Sequence, residues 1–195
     1  MPIDYYEKME SGGVYHVYNR TNNKELAFKE DANYVYFLEK MSKYLPQYLD
    51  IWAYCLMPTH FHFLVQVKEG VNSMQVEKQM QLLLMSYAKA INKQYKRHGS
   101  LWQKRFRRIE QHDVAWQQKR LCYIHHNPIH HRYESEYDTW RYSSYKSYLS
   151  DKASNLVRQP VWDWFAADQA QAKLGFIALH EEYKQDFLWD DYEEE

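Results

Sequence analysis

Cysteine is nearly absent from this 195-residue chain. Cys55 and Cys122 are far apart and form no CxxC pair, which excludes a disulfide framework and a zinc knuckle. Each lies among apolar neighbours and is expected as a buried thiol. Five glycines and five prolines leave no low-complexity linker and no signature of disorder. The net charge of −1 gives no global electrostatic signal for nucleic acid. No apolar run approaches the length that spans a bilayer, and the opening MPIDYYEKMESGG lacks the apolar core of a leader. A cytoplasmic protein without a membrane partner is the expectation.

The near-zero charge conceals a strong segregation. Between Lys89 and Arg120 ten basic residues face only Glu110 and Asp113, whereas Glu181 to Glu195 holds eight acidic residues against Lys184. A basic central segment interleaved with aromatics suits a phosphate backbone, and the acidic end hides it from the overall balance. Aromatics reach 17%, with 19 tyrosines, each combining a stacking face with a hydroxyl.

The pattern of elements is β-α-β-β-α-β-α. Val14 to Asn19 is a β-rich first strand after Gly12-Gly13. Glu30-Asp31 opens a helix to Tyr44 with Tyr34, Phe37, Leu38 and Met41 at helical spacing. Two strands flank Pro58-Thr59 within Asp50 to Val67. Ser73 is the expected N-cap of a long helix ending near His98-Gly99. Leu101 to Gln111 reads as a strand. Asp113 should cap a helix that runs to about Asn127, where Pro128 stops it. A last helical pattern covers Asp168 to Phe187. These elements predict a two-layer α+β sandwich, an antiparallel sheet with helices on one side, plus a C-terminal helical extension. The core is expected over 1–149 and the appendage over 150–195.

Two short strings carry chemistry. In His60-Phe61-His62, strand alternation sends both imidazoles to one face and Phe61 into the opposite layer, which is half of a metal site. In Tyr123-Ile124-His125-His126-Asn127, helical spacing stacks Tyr123 and Asn127 on one face, with Lys119 and Arg120 one turn earlier. Two imidazoles and one amide oxygen can hold a divalent cation with open positions for substrate oxygens. A phenol can then attack phosphorus to give a covalent phosphotyrosine. With a phenol pKa of about 10, only about one part in a thousand is ionised at pH 7, so the cation and a nearby Lys or Arg must stabilise the phenolate.

The string Tyr54-Cys55-Leu56-Met57-Pro58-Thr59-His60-Phe61-His62 resembles the HUH motif of single-tyrosine transposases. Leu101-Trp102-Gln103-Lys104-Arg105-Phe106, Tyr123 to Pro128 and Trp140-Arg141-Tyr142-Ser143-Ser144-Tyr145 are similar in order to the REP-associated tyrosine transposases. The resemblance spans about Val14 to Tyr148. It implies a ferredoxin-like core that nicks and rejoins single-stranded DNA at imperfect palindromes folded into hairpins. It implies His60, His62 and Asn127 as ligands of Mg2+ or Mn2+. Tyr123 becomes the nucleophile that leaves a 5′-phosphotyrosine and a free 3′-hydroxyl. It implies that Lys104, Arg105, Arg107, Arg108, Lys119 and Arg120 contact DNA, that Trp102 and Phe106 stack on bases, and that the protein acts as a monomer rather than a dimer.

The chain departs from the family pattern at Thr59, where Asn or Glu is common, and at His130-His131-Arg132, where a small residue and glycine are usual. His125, His126, His130 and His131 are read as phosphate-contacting or solvated rather than as a second metal site. Two other readings stand beside the transferase: a non-catalytic DNA-hairpin-binding protein, and a metal-dependent phosphodiesterase in which water attacks.

Overall fold

The computed structural model describes residues 4–186. Four antiparallel strands form one sheet: β1 (Val14–Arg20), β2 (Leu49–Met57), β3 (His60–Val67) and β4 (Arg107–Glu110), in the order β2-β3-β1-β4. Helix α1 (Asp31–Tyr44) connects β1 to β2, and α2 (Ser73–Gln94) connects β3 to β4. This is the ferredoxin-like arrangement, with β1 and β3 central.

Strand alternation decides what each face of the sheet touches. Phe61 and Phe63 of β3 point to the side of α1 and α2, with Phe37 of α1 at 5.5 and 6.3 Å between ring centres. Phe37 in turn meets Tyr87 of α2 edge-on at 4.9 Å. The intervening His62 points the other way. That opposite face is covered by α3 (Val114–His130), whose Tyr123 ring stands 5.6 Å from the ring of His62. The two core helices thus share one side, and α3 lies over the other.

Local chemistry sets the helix ends. Asn72, one residue before the predicted cap, starts α2 with a capping box: its side chain accepts from Gln75 N at 3.1 Å while Gln75 Oε1 accepts from Asn72 N at 3.0 Å. The helix ends at Gln94, earlier than expected, and the chain turns at Lys96 with φ +52°. Asp113 caps α3 as predicted, accepting from Trp116 N at 2.9 Å. Pro128 does not stop α3. The helix carries on to His130 because Asn127 O still accepts from His131 N at 3.0 Å, so the proline removes one rung without ending the ladder.

The expected strand from Leu101 is shorter than predicted. Only Arg107–Glu110 pairs regularly; before it, Leu101 and Trp102 turn into the core, and the Asn22 amide donates to Ser100 O and Trp102 O. Three short or late helices follow: α4 (Tyr145–Leu149), α5 (Gln159–Trp162) and α6 (Gln169–Asp186). They fold against the same sheet and helix: Val157 N donates to Ile51 O at 2.9 Å, and Tyr148 stacks on Phe176 of α6 at 4.6 Å. Most of the expected acidic tail, 187–195, lies outside the described residues. Both cysteines are buried and free. No helix among the described residues is long and apolar enough to cross a membrane.

Candidate active site

The face of the sheet under α3 gathers the two strings picked out in the sequence. His60 and His62 sit on β3, Tyr123 and Asn127 one turn apart on α3. His60 Nε2 lies 3.1 Å from Asn127 Oδ1. The Tyr123 ring meets His62 edge-on at 5.6 Å and His16 of β1 at 5.9 Å. The guanidinium of Arg120 stands 5.0 Å from the Tyr123 ring centre, inside cation–π range. All four predicted site residues and Arg120 therefore meet in one place.

Each histidine has a partner on its Nδ1 atom. His60 Nδ1 lies 3.0 Å from Thr59 Oγ1, and His62 Nδ1 lies 2.9 Å from His16 Nε2. Burial pushes the His60 pKa down to about 4, with His131 adding to the shift and the Asn127 bond opposing it. Burial first, then the neighbouring His60 and His16, hold His62 well below the usual histidine range. Burial does the same to His16, helped by Arg120. Neutral imidazoles are the form that binds metal.

The donor set fits a small hard-to-borderline cation. Two adjacent ligands at about 2.1 Å around an octahedral ion are about 3 Å apart, which is the spacing of His60 Nε2 and Asn127 Oδ1. Among the described residues no group of three His, Cys, Asp or Glu side chains is arranged to hold a metal. The candidate set here depends on the amide oxygen of Asn127.

The predicted DNA contacts divide sharply. Lys119 and Arg120 line a small cleft beside Tyr123 together with Trp116 and Tyr183. Arg107 is cross-strand partner of Tyr18, on the same face as His62, with its guanidinium 5.1 Å from the Tyr5 ring. Lys104 and Arg105 are exposed and line a groove of about 900 Å³ on the α2 side of the sheet, with Lys8 and Lys89 also on its walls. Arg108 is a correction. Alternation turns it towards α2, where it is 7% exposed, pairs with Glu77 at 2.5 Å and donates to the carbonyls of Tyr6 and Glu7. Trp102 is another: at 4% exposure it packs against Phe61, Phe28, Phe37 and Tyr87 and cannot offer a face to a base. Phe106 is buried as well.

Two histidines read as phosphate-contacting or solvated are instead internal. His125 is fully buried, and its partners dictate a directed chain of hydrogen bonds. Phe176 O can only accept, so His180 Nδ1 donates to it at 2.8 Å. His180 Nε2 then accepts from His125 Nδ1 at 2.8 Å, and His125 Nε2 accepts from Ser144 Oγ at 2.8 Å. Ser144 Oγ accepts from Tyr54 N at 2.9 Å. This chain ties β2, the loop before α4, α3 and α6 together between Tyr123 and Asn127. His126, also buried, bonds Cys122 O through Nδ1 at 2.8 Å. His131 is exposed and stands 4.6 Å from the His60 ring.

The sequence assigns no site role to His16 or Trp116 and marks Thr59 only as a departure from the family pattern. His16 lies on the strand next to the HxH pair and Thr59 in the turn just before it, and a His two residues before a Tyr on a neighbouring strand gives no sign of its register. Trp116, 52% exposed, lies one turn before Lys119 and Arg120 and two turns before Tyr123, a spacing visible in the sequence.

Comparison with known proteins bears on the family and the fold. A family profile described as "Transposase IS200 like" matches residues 10–127. A Haemophilus influenzae protein provisionally named REP-associated tyrosine transposase is 30% identical over 100 residues, 48% of this chain and 57% of that protein, so the match spans little more than half of the relative's length. A solved REP-associated tyrosine transposase bound to a REP hairpin superposes with a TM-score of 0.63 at 15% identity, over 76% of this chain and 86% of that one, which is a likeness of fold. With the profile covering more than half of its length, including both the HxH strand and the tyrosine helix, this chain belongs to the IS200-like transposase family.

Proposed function

We propose that this protein cleaves and rejoins single-stranded DNA at hairpin-forming sequences through a covalent 5′-phosphotyrosine on Tyr123. The observation that carries the reading is the convergence of Tyr123 and Asn127 on the His60–His62 face, with His60 Nε2 and Asn127 Oδ1 3.1 Å apart. The relatives support the substrate: one is named for REP sequences, and a structural neighbour is bound to a REP hairpin.

His60, His62 and Asn127 would hold a divalent cation, Mg2+ or Mn2+. Bound there, it would supply Lewis-acid polarisation of a phosphodiester. Tyr123 Oη attacks phosphorus, forming the Tyr–O–P bond as the P–O3′ bond breaks. The phenolic proton is lost to solvent and the departing 3′-oxygen takes one up. The 3′-hydroxyl of an incoming strand reverses the step and frees the tyrosine. Arg120, over the phenol ring, favours the phenolate and the charge that develops on the phosphoryl oxygens. Lys119, Arg107, Lys104 and Arg105 hold the backbone, and Trp116 offers an exposed stacking face. Action as a monomer is part of the proposal.

One feature favours a second reading. Tyr123 is only 7% exposed, as a structural tyrosine would be. In that case water attacks and the protein is a cation-dependent phosphodiesterase. The two separate in a trapping assay with labelled hairpin oligonucleotides and Mn2+ on a denaturing gel. The transferase gives a protein–DNA band that is lost in Tyr123→Phe and with chelator. Cleavage that survives Tyr123→Phe without an adduct contradicts it.

A further inference from the structure

We infer that His16 is a positioning residue that fixes the tautomer of His62, so that His62 presents Nε2 to the cation. The inference rests on the reading of His60, His62 and Asn127 as cation ligands.

His16 lies on β1, two residues before Tyr18, which is directly opposite His62 in the β1–β3 register. The three rings form one cluster, with His16–Tyr18 at 4.8 Å, His16–His62 at 5.1 Å and Tyr18–His62 at 5.6 Å, all within 20° of parallel. His16 is completely buried, and its Nε2 is 2.9 Å from His62 Nδ1. Its other nitrogen, Nδ1, is buried without a hydrogen-bond partner among the described residues. A polar nitrogen left this way costs stability, and a leucine or phenylalanine would fill the same space without that cost. The burial of a histidine here therefore calls for a reason, and its single hydrogen bond supplies one.

With both rings neutral, the shared bond can be made in only two ways. If His16 Nε2–H donates, His62 must carry its proton on Nε2 and has no lone pair there for a cation. If His62 Nδ1–H donates to the lone pair of His16 Nε2, the His62 Nε2 lone pair is free. Only the second arrangement is compatible with ligation, and it makes His16 the acceptor that orients the ring and raises its basicity. A partner on the far nitrogen of a metal-bound histidine is the common arrangement, and its loss typically weakens metal binding about 10- to 100-fold. On His60, Thr59 Oγ1 occupies the corresponding place.

The test compares the wild-type protein with His16→Gln and His16→Phe, without DNA. Glutamine can place an amide oxygen where Nε2 was and still accept from His62; phenylalanine fills the same space and cannot accept. Mn2+ affinity is read by electron paramagnetic resonance, beside thermal midpoints. The expected result is about a 10- to 100-fold loss of affinity in His16→Phe and a wild-type value within about threefold in His16→Gln. Long-range 1H–15N correlation on the wild type with diamagnetic Mg2+ should show His62 protonated on Nδ1, and this readout stands if a variant fails to fold. Wild-type affinity in a folded His16→Phe, equal losses in both variants, or a His62 proton on Nε2 overturns the inference. A wild-type protein that binds no Mn2+ overturns the cation reading itself and this inference with it.

Discussion

Trp102 and Trp116 separate two uses of one side chain. Both lie in the basic, aromatic-rich region that the sequence marks for DNA. Trp102 is enclosed by four aromatic rings, so Trp102→Ala should cost about 3–5 kcal/mol of stability, measured by urea unfolding. Trp116 is exposed beside Tyr123 and touches none of that core. Trp116→Ala should leave unfolding unchanged and weaken single-stranded DNA binding about 5- to 150-fold, the worth of one stacked base. Equal DNA affinity in Trp116→Ala, by fluorescence anisotropy, would remove it from the interface. Composition could not tell the two apart, because burial of Trp102 follows from the chain turning inward before β4. His60, His62, Tyr123 and Asn127 were legible because their spacings, two on a strand and four on a helix, place them regardless of long-range packing. Arg107 and Arg108 were not: alternation alone sends them to opposite faces, and only the register with β1 says which face holds the site.

At the scale of elements, α3 has to be held in register over β3, and the parts that hold it come from distant segments. The Trp140 to Tyr145 string does this by covering the open edge of β2. Leu56 N donates to Tyr142 O, Trp140 Nε1 donates to Leu56 O, and Ser144 bonds both Tyr54 and His125. Helix α6 closes the other side through His180. The order of β1-α1-β2-β3-α2-β4 was readable from periodicity, as were α3 and α6. The passage of α3 through Pro128 was not, since the local signal favours a stop and the Asn127–His131 bond overrides it. The His180 link makes stability sensitive to acid. Burial pushes its pKa down to about 3, whereas an unfolded histidine titrates near 6.5. Below about pH 6.5 the unfolded chain takes up a proton that the folded one refuses, so stability falls as pH falls. His180 alone should remove about 1 kcal/mol between pH 7 and 5.5, and buried His125 pushes the same way. Urea midpoints that stay flat over that interval would contradict a neutral buried chain.

Across the whole molecule, the cations proposed to meet DNA lie on two sides of the sheet. Lys119, Arg120 and Arg107 are on the α3 side, while Lys104 and Arg105 line the groove beside α2. A strand that touches both must pass the β4 edge. Salt dependence tests which cations take part. Lys104→Ala and Arg105→Ala should each flatten the slope of log affinity against log salt by about 0.7 for single strands, at little cost in stability. Arg108→Ala should leave that slope unchanged and lower stability, because its charge is spent on Glu77 and two backbone carbonyls. A flattened slope in Arg108→Ala would return it to the DNA surface.

The central claim is that Tyr123 itself becomes bonded to DNA. The most direct measurement is mass spectrometry of the protein after reaction with a hairpin oligonucleotide and Mn2+, nuclease trimming and trypsin. A nucleotide 5′-phosphate is expected on the peptide from Leu121 to Arg132, localised by fragmentation to Tyr123. Cleaved DNA with that peptide unmodified, or a nucleotide on another residue, would contradict it.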